Sequence, residues 1–122
     1  MLTDLTRQKL PDDTACDICI VGAGPAGIAI ALELMGSGKD VILLEAGGEK
    51  PDPDSQSFLE GESRNPAHPE PSLYRHRRAG GASAIWGGRC LPLDPVDFEK
   101  RDWVPLSGWP MDYEELVPFY RR

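Results

Sequence analysis

The chain has 122 residues, a formal net charge of −7 and three cysteines. This length predicts one modest domain. The acidic balance argues against nucleic-acid binding, which selects a basic surface, and no lysine-rich patch indicates contact with a membrane. An odd number of cysteines, and an N-terminus without an apolar export segment, are typical of a cytoplasmic protein and not of a secreted disulfide scaffold.

Glycine and proline are concentrated in residues 47–110, which hold 8 of the 13 glycines and 9 of the 12 prolines. This stretch is therefore predicted to be rich in loops. The composition and the motifs described below divide the chain into four segments. They are an N-terminal tail (1–14), a βαβ dinucleotide-binding unit (15–48), a loop excursion (49–76) and a second cofactor-contacting segment that ends in the start of a truncated helical region (77–122).

The βαβ unit is predicted from two short apolar runs with a helical pattern between them. Ile18 to Val21 reads as a strand buried on both faces of a parallel sheet, and Val41 to Leu44 as its neighbour. The intervening helix is apolar nearly all round, interrupted by Glu33, which predicts a helix packed into the sheet. Either Gly36 or Gly38 can end it in a left-handed conformation. The fold class is therefore α/β.

The turn between the first strand and the helix carries Gly22, Gly24 and Gly27 at G-x-G-x-x-G spacing. In this motif the glycines allow a tight turn, a close approach to a pyrophosphate and close helix–strand packing. The N-terminus of the helix supplies free N–H groups and partial positive charge. Glu45, at the end of the second strand, stands where a carboxylate accepts hydrogen bonds from an adenosine ribose, and its charge disfavours NADP.

Other polar residues are assigned no chemistry. Cys16 and Cys19 form C-x-x-C within the strand region and are interpreted as core residues, because no second pair completes a zinc site. His68 and His76 lie in a polar loop and are expected to be solvated. No metal site is predicted. The excursion is expected to have little regular structure, with Phe58 and Leu59 as anchors, and to serve either as a lid or as a simple insertion.

A second glycine cluster, GGASAIWGGRC, begins at Gly80 and surrounds Trp86. Paired glycines let the backbone come within contact distance of a flat or charged group, although such loops also arise from tight packing alone. After a βαβ unit, the loop is interpreted as a second wall of the same cofactor site. Near the C-terminus, Asp112 and Glu115 have the spacing of a capping box, which predicts the start of a helix that Pro118 kinks or restarts.

These motifs resemble a known family. VGAGPAG followed by EAGG looks like the FAD-binding unit of flavoproteins. GGASAIWGGRC and DPVDFEKRDWVPLSGWPMDYEELVPFY resemble the glucose-methanol-choline (GMC) oxidoreductases, closest to the FAD-dependent sugar and polyol dehydrogenases. The resemblance covers roughly residues 15–122 and implies an incomplete, Rossmann-like FAD-binding domain followed by a loop-rich segment. It also implies oxidation of a CH–OH group of an alcohol, polyol or sugar by hydride transfer to flavin.

The resemblance implies which residues hold the cofactor. The first cluster would hold the pyrophosphate, Glu45 the ribose, and the tryptophan loop would lie along the pyrophosphate and isoalloxazine. The residues are Gly22, Ala23, Gly24, Pro25, Ala26, Gly27, Glu45, Ala46, Gly81, Ser83, Trp86, Gly87 and Gly88.

Two departures from the family pattern matter. Some relatives tether the flavin through a histidine directly before this tryptophan, where this chain has Ile85, so a noncovalent flavin is expected. No residue here matches the family's catalytic histidine or its partner, so the chain is expected to carry no catalytic residue and to show no turnover by itself. Two alternatives remain open: an NAD-dependent Rossmann enzyme, and a truncated, non-catalytic nucleotide-binding module.

Overall fold

A computed structural model describes residues 1–62, 64–65 and 67–121. The chain divides into two compact units, Met1–Gly87 and Gly88–Arg122. The division into four segments made from the sequence stays a prediction.

The first unit is built on a βαβ motif. Strand β1 (Ile18–Val21) pairs in parallel with β2 (Val41–Leu44), and the register sets Ile18 opposite Val41. Helix α1 (Pro25–Glu33) forms the crossover and contacts both strands. Parallel strands need such a crossover, because a tight hairpin can join only antiparallel ones. The predicted α/β fold is thereby confirmed.

The burial of this motif differs from the prediction. Ile20 is buried, but Val21 is 83% exposed and Cys19 is also exposed, so β1 is not covered on both faces. On α1, Ile30 and Leu32 are exposed as well. The reason is that the sheet has only two strands in the described residues, so nothing lies beyond β1 to cover these side chains.

The ends of the predicted elements are close to expectation. Helix α1 ends at Glu33, and both Gly36 and Gly38 beyond it adopt left-handed φ values, of +81° and +75°. The cysteine prediction is wrong, however. Cys16 is half-buried and Cys19 exposed because the strand edge is open, and both thiols are free.

The excursion contains more regular structure than predicted. Two single-turn helices, α2 (Pro53–Ser57) and α3 (Pro71–Tyr74), each begin with proline, whose fixed φ suits the first helical position. The Asp52 carboxylate accepts the Asp54 N–H at 3.1 Å and caps α2. The anchor at Phe58 is a stacking contact, because the Arg77 guanidinium lies 4.7 Å from the ring centroid while the ring stays largely exposed.

The second unit contains helices α4 (Pro95–Phe98) and α5 (Tyr113–Tyr120). Phe98 is the buried residue among those described in this unit, and its ring lies 6.0 Å from that of Trp109 and 5.7 Å from that of Tyr113. The predicted capping box is confirmed, since Glu115 accepts the Asp112 N–H at 2.9 Å. Helix α5 runs through Pro118 without restarting there.

The S-G-W-P signature has a packing role in this second unit. The Ser107 hydroxyl accepts the Arg101 N–H at 2.8 Å and donates to the Arg101 carbonyl at 2.9 Å. Gly108 has φ +89°, and a Cβ there would stand 3.2 Å from the Lys100 Cα. The Trp109 N–H donates to the Phe98 carbonyl at 3.2 Å. The motif therefore closes the loop 99–109 onto α4.

None of the helices in the described residues combines the length and the apolar character that crossing a bilayer demands.

Candidate cofactor site

The site begins at the turn between β1 and α1. Gly22 has φ +102°, a left-handed conformation that side chains disfavour, and its N–H donates to the Leu44 carbonyl at 2.7 Å. Gly27 is buried, and a Cβ on it would overlap the carbonyl oxygen of Gly22. The third glycine of the motif therefore lets the helix pack directly on the turn.

Gly24 occupies the N-cap of α1, and Pro25 follows at the first helical position. A Cβ built on Gly24 would meet nothing within 4 Å, so open space lies in front of the helix tip. Within the described residues, the N–H groups of Gly24, Ala26 and Gly27 have no acceptor. Free donors, the helix dipole and open space together form a cradle for an anion.

The Glu45 carboxylate holds this turn together. One oxygen accepts the Ala23 N–H at 2.8 Å and the other accepts the Gly47 N–H at 2.9 Å. The sequence predicted a ribose acceptor here and did not predict these backbone contacts. Each carboxylate oxygen has further acceptor capacity, so the bonds are compatible with additional hydroxyl donors. Ala46, which lies between Glu45 and Gly47 in the chain, is exposed.

The second glycine cluster lies against the first. The Gly80 N–H donates to the Ala23 carbonyl at 2.8 Å. A Cβ on Gly81 would stand 3.3 Å from the Gly24 Cα, and Gly80 and Gly81 have φ values of +87° and +53°. A side chain at Gly81 would crowd the helix tip. The predicted proximity of the two clusters is therefore present in the structure.

The remaining residues of the predicted site follow this contact. A 3₁₀ turn spans Gly81–Ala84, and the Ser83 hydroxyl in it donates to the Gly80 carbonyl at 2.5 Å. Trp86 is 50% exposed and Gly87 is exposed beside it. Gly88 opens the second unit, with φ +73°. That these residues touch a cofactor stays a prediction.

The sequence reasoning missed one contact that supports the site. The Ala79 N–H donates to the Gly48 carbonyl at 3.0 Å, and a Cβ on Gly47 would overlap the Arg77 carbonyl. The paired glycines of EAGG were the available signal, because a doubled glycine often marks close backbone approach. The segment before the second cluster is thus fastened to the end of β2.

The two histidines differ from each other. His68 is exposed, as expected, but His76 is half-buried, and its Nε2 atom is buried with no partner among the described residues. It lines a cavity of about 300 Å³ together with Gln56, Arg77 and Arg78. The expectation of a solvated His76 is wrong, because His76 faces a cavity that is also lined by Gln56 of α2 and by the residues that begin α2.

The profile of the family described as FAD dependent oxidoreductase matches residues 17–119. The chain belongs to this family. The match spans the βαβ motif and both glycine clusters, and the cofactor of the family is FAD, as the resemblance implied.

The curated relatives that the chain matches are GMC-family oxidoreductases, as the resemblance implied. The chain is similar to 2-methyl-1,2-propanediol dehydrogenase of Mycolicibacterium austroafricanum, at 28% identity over 85% of this chain and 23% of the relative. It is similar to oxygen-dependent choline dehydrogenase of Rhizobium meliloti (strain 1021), at 31% identity over 87% of this chain and 22% of the relative. Paromamine 6'-oxidase of Streptomyces fradiae is 26% identical over 89% and 22%.

The chain therefore spans less than a quarter of the length of these relatives. No solved structure matches it significantly.

The residues of the first unit fit the diphosphate of FAD. A Cβ on Gly24 would meet no described atom within 4 Å apart from its chain neighbours, and the N–H groups of Gly24, Ala26 and Gly27 have no acceptor among the described residues. Gly81 borders that space with backbone only. Small residues and free donors are what a diphosphate bound at a helix N-terminus requires.

Proposed function

We propose that this chain is part of the FAD-binding region of an enzyme that oxidises a CH–OH group of a small alcohol, polyol or sugar. The observation that carries the proposal is the contact of Gly80 and Gly81 with Ala23 and Gly24, which joins both family motifs at one open helix tip. The names of the relatives, a diol dehydrogenase, a choline dehydrogenase and an aminoglycoside oxidase, support the substrate class.

In this proposal the chain binds and orients the cofactor. The N–H groups of Gly24, Ala26 and Gly27 donate to the diphosphate, and the α1 dipole favours its negative charge. Glu45 holds the turn in shape and accepts the ribose hydroxyls with its remaining lone pairs. Gly81, Ser83, Trp86 and Gly87 lie along the pyrophosphate and the isoalloxazine.

Bound FAD supplies the chemistry, because it accepts the hydride that leaves the substrate carbon. A base must take the hydroxyl proton as that hydride leaves, and we assign this base to none of the 122 residues. The contribution of this chain to the reaction is therefore to orient the cofactor and to stabilise its charge. The three free cysteines favour a cytoplasmic setting, in which thiols stay reduced.

The test is a titration of the purified protein with FAD and, separately, with NAD. We expect FAD to bind and the protein to be isolated yellow, whereas NAD does not compete. Preferential binding of NAD would show that the site belongs to an NAD-dependent enzyme. Binding of neither cofactor would refute the proposal.

A matched variant makes the titration specific to the helix tip. Gly24→Val places a side chain where the diphosphate is proposed to lie, and apart from the two neighbouring residues no described atom lies within 4 Å of that Cβ. The variant is therefore expected to fold and to lose FAD. A Gly24→Val protein that retains FAD at wild-type affinity would place the diphosphate elsewhere.

A further inference from the structure

Gln56, on helix α2, makes three hydrogen bonds to the backbone of the segment before the second glycine cluster. Its Nε2 atom donates to the carbonyls of Ser72 at 3.0 Å and Arg75 at 2.7 Å. Its Oε1 atom accepts the Arg77 N–H at 3.2 Å. One side chain thus uses both amide donors and its acceptor on three residues, one in helix α3 and two in the stretch that follows it.

The segment that Gln56 holds borders a cavity and has other side-chain attachments as well. The cavity of about 300 Å³ lies on one side of it, lined also by His76 and Arg77. The His76 Nε2 and Arg77 Nε atoms are buried without partners in the described part of the chain. The Arg77 guanidinium stacks on Phe58 at 4.7 Å, and the Arg78 guanidinium donates to the Glu49 carbonyl at 2.7 Å. Gln56 adds to these side-chain contacts three direct bonds to the backbone of the segment, which fix the path of its main chain.

The held segment leads directly to the candidate cofactor site. Two residues after Arg77, the Ala79 N–H donates to the Gly48 carbonyl, and the next N–H, that of Gly80, donates to the Ala23 carbonyl. Gly81 then lies against Gly24. A shift of Arg77 would therefore move the backbone that borders the helix tip.

We propose that Gln56 is a positioning residue that sets the place of the Gly80–Gly81 backbone against the N-terminus of α1. Its effect on the backbone follows from the contacts above, and its effect on FAD rests on the proposed function. The excursion, residues 49–76, then supports the Gly80–Gly81 backbone beside the candidate cofactor site and is more than an insertion.

The first test measures hydrogen exchange of single amides in Gln56→Met, which keeps the length of the side chain and removes its three hydrogen bonds. We expect exchange at the amides of Ala79 and Gly80 to accelerate about tenfold or more, as loss of hydrogen-bonded support predicts. The Gly22 amide, bonded to Leu44 in the βαβ motif, is expected to keep its rate. Unchanged rates at Ala79 and Gly80, or equal acceleration at all three amides, would overturn the proposal.

The matched control is Gln8→Met, the same substitution at the other glutamine of the chain, which is exposed and has no side-chain hydrogen bond in the described residues. It is expected to leave all three amides unchanged. If it accelerates Ala79 and Gly80 as much as Gln56→Met does, the specific role of Gln56 is refuted.

A second variant keeps the test decisive if Gln56→Met does not fold. Gln56→Glu retains the shape and one acceptor but turns a carboxylate toward two carbonyls. We expect fast exchange at Ala79 and Gly80 at neutral pH, and protection that returns toward the Glu pKa of about 4.3, because a protonated carboxyl can donate again. Protection factors equal to wild type at neutral pH would contradict the proposal.

The effect of Gln56 on FAD affinity is measured in a separate experiment. We expect the Kd for FAD to rise about tenfold in Gln56→Met and to stay within about twofold in Gln8→Met. If the wild-type protein binds no FAD, the proposed function fails while the exchange experiment still decides the role of Gln56. A third outcome is that wild type binds FAD and that Gln56→Met exchanges faster but binds FAD equally well. In that case Gln56 does not position the Gly80–Gly81 backbone for FAD.

Discussion

The three glycines of the first motif have three different physical roles. Gly22 provides a left-handed backbone, Gly24 provides open space at the helix tip, and Gly27 provides room for the carbonyl of Gly22. Gly24 is the glycine that we propose to face the ligand, because neither a left-handed φ nor a described atom within 4 Å of its Cβ requires glycine there for the fold, whereas Gly22 needs its φ of +102° and Gly27 its close packing. Stability and cofactor binding can therefore be separated within six residues.

Gly27→Ala should destabilise the fold, because the new methyl group would overlap the Gly22 carbonyl. We expect a loss of about 1–3 kcal/mol in the free energy of unfolding, the usual cost of overpacking. Gly24→Ala is the control and should change that free energy little, since its Cβ is unobstructed. Chemical denaturation followed by circular dichroism measures both; equal losses in the two variants would contradict this separation.

Glu45→Ala removes the acceptor of two backbone N–H groups, one of them on buried Ala23. We expect FAD binding to weaken by about 1–3 kcal/mol and the unfolding free energy to fall by a similar amount. Glu49→Ala removes the same charge from an exposed position and should do neither. Equilibrium titration and denaturation provide the measurements, and unchanged FAD retention in Glu45→Ala would show that the wrong acid was assigned.

Ile85 directly precedes Trp86, the position at which the family resemblance implies a flavin-linked histidine in some members. Because an aliphatic side chain offers no nucleophile, the flavin should be held noncovalently. Acid precipitation of the yellow protein should release all flavin into the supernatant, read from its absorbance. Flavin that stays with the precipitate would refute this.

At the scale of elements, short helices depend on their first turns. Helix α4 has four residues and α5 has eight, and each begins with a reciprocal side-chain cap. Asp97 accepts the Asp94 N–H at 2.9 Å, as Glu115 accepts that of Asp112. Isolated helices of this length are marginal, so caps and the packing of Phe98 decide whether they form.

Glu115→Ala should destabilise the second unit by about 0.5–1.5 kcal/mol, because the Asp112 N–H loses its acceptor. Glu114→Ala is a close control, since Glu114 is in the same first turn but the described contacts assign it no bond to the N-cap. It should cost only the helix-dipole contribution, about 0.3 kcal/mol or slightly more. Thermal unfolding monitored by helical circular dichroism compares them, and equal losses would mean that the cap contributes nothing.

At the scale of the whole molecule, few side chains are buried. The buried apolar residues among those described are Ile20, Ala23 and Phe98, while large side chains such as Val21 and Leu106 are exposed. Two strands and short helices cannot cover both faces of a sheet. The motifs for a cofactor are thus present in a chain with a small core.

The 122-residue chain by itself should show no steady oxidation of choline, diols or sugars, with or without added FAD. The physical reason is that the proposed site binds and orients the cofactor but includes no base beside it. An assay with an artificial electron acceptor, sensitive to one turnover per minute, measures this. Sustained turnover by the purified chain would refute the prediction and would require a catalytic residue within it.

Local sequence determined the βαβ motif, the roles of Gly22 and Gly27, and the capping box at Asp112, because these depend on backbone conformation and contacts a few residues apart. The family motifs also determined the cofactor. Tertiary structure alone decided that Glu45 binds the backbone of the turn, that Gln56 holds the loop before Gly80, and that β1 is open to solvent. The Glu45 bond to Ala23 and the Gln56 bond to Arg77 each join residues about twenty positions apart. The exposure of β1 depends on how many strands the described sheet contains. No local sequence pattern encodes either property.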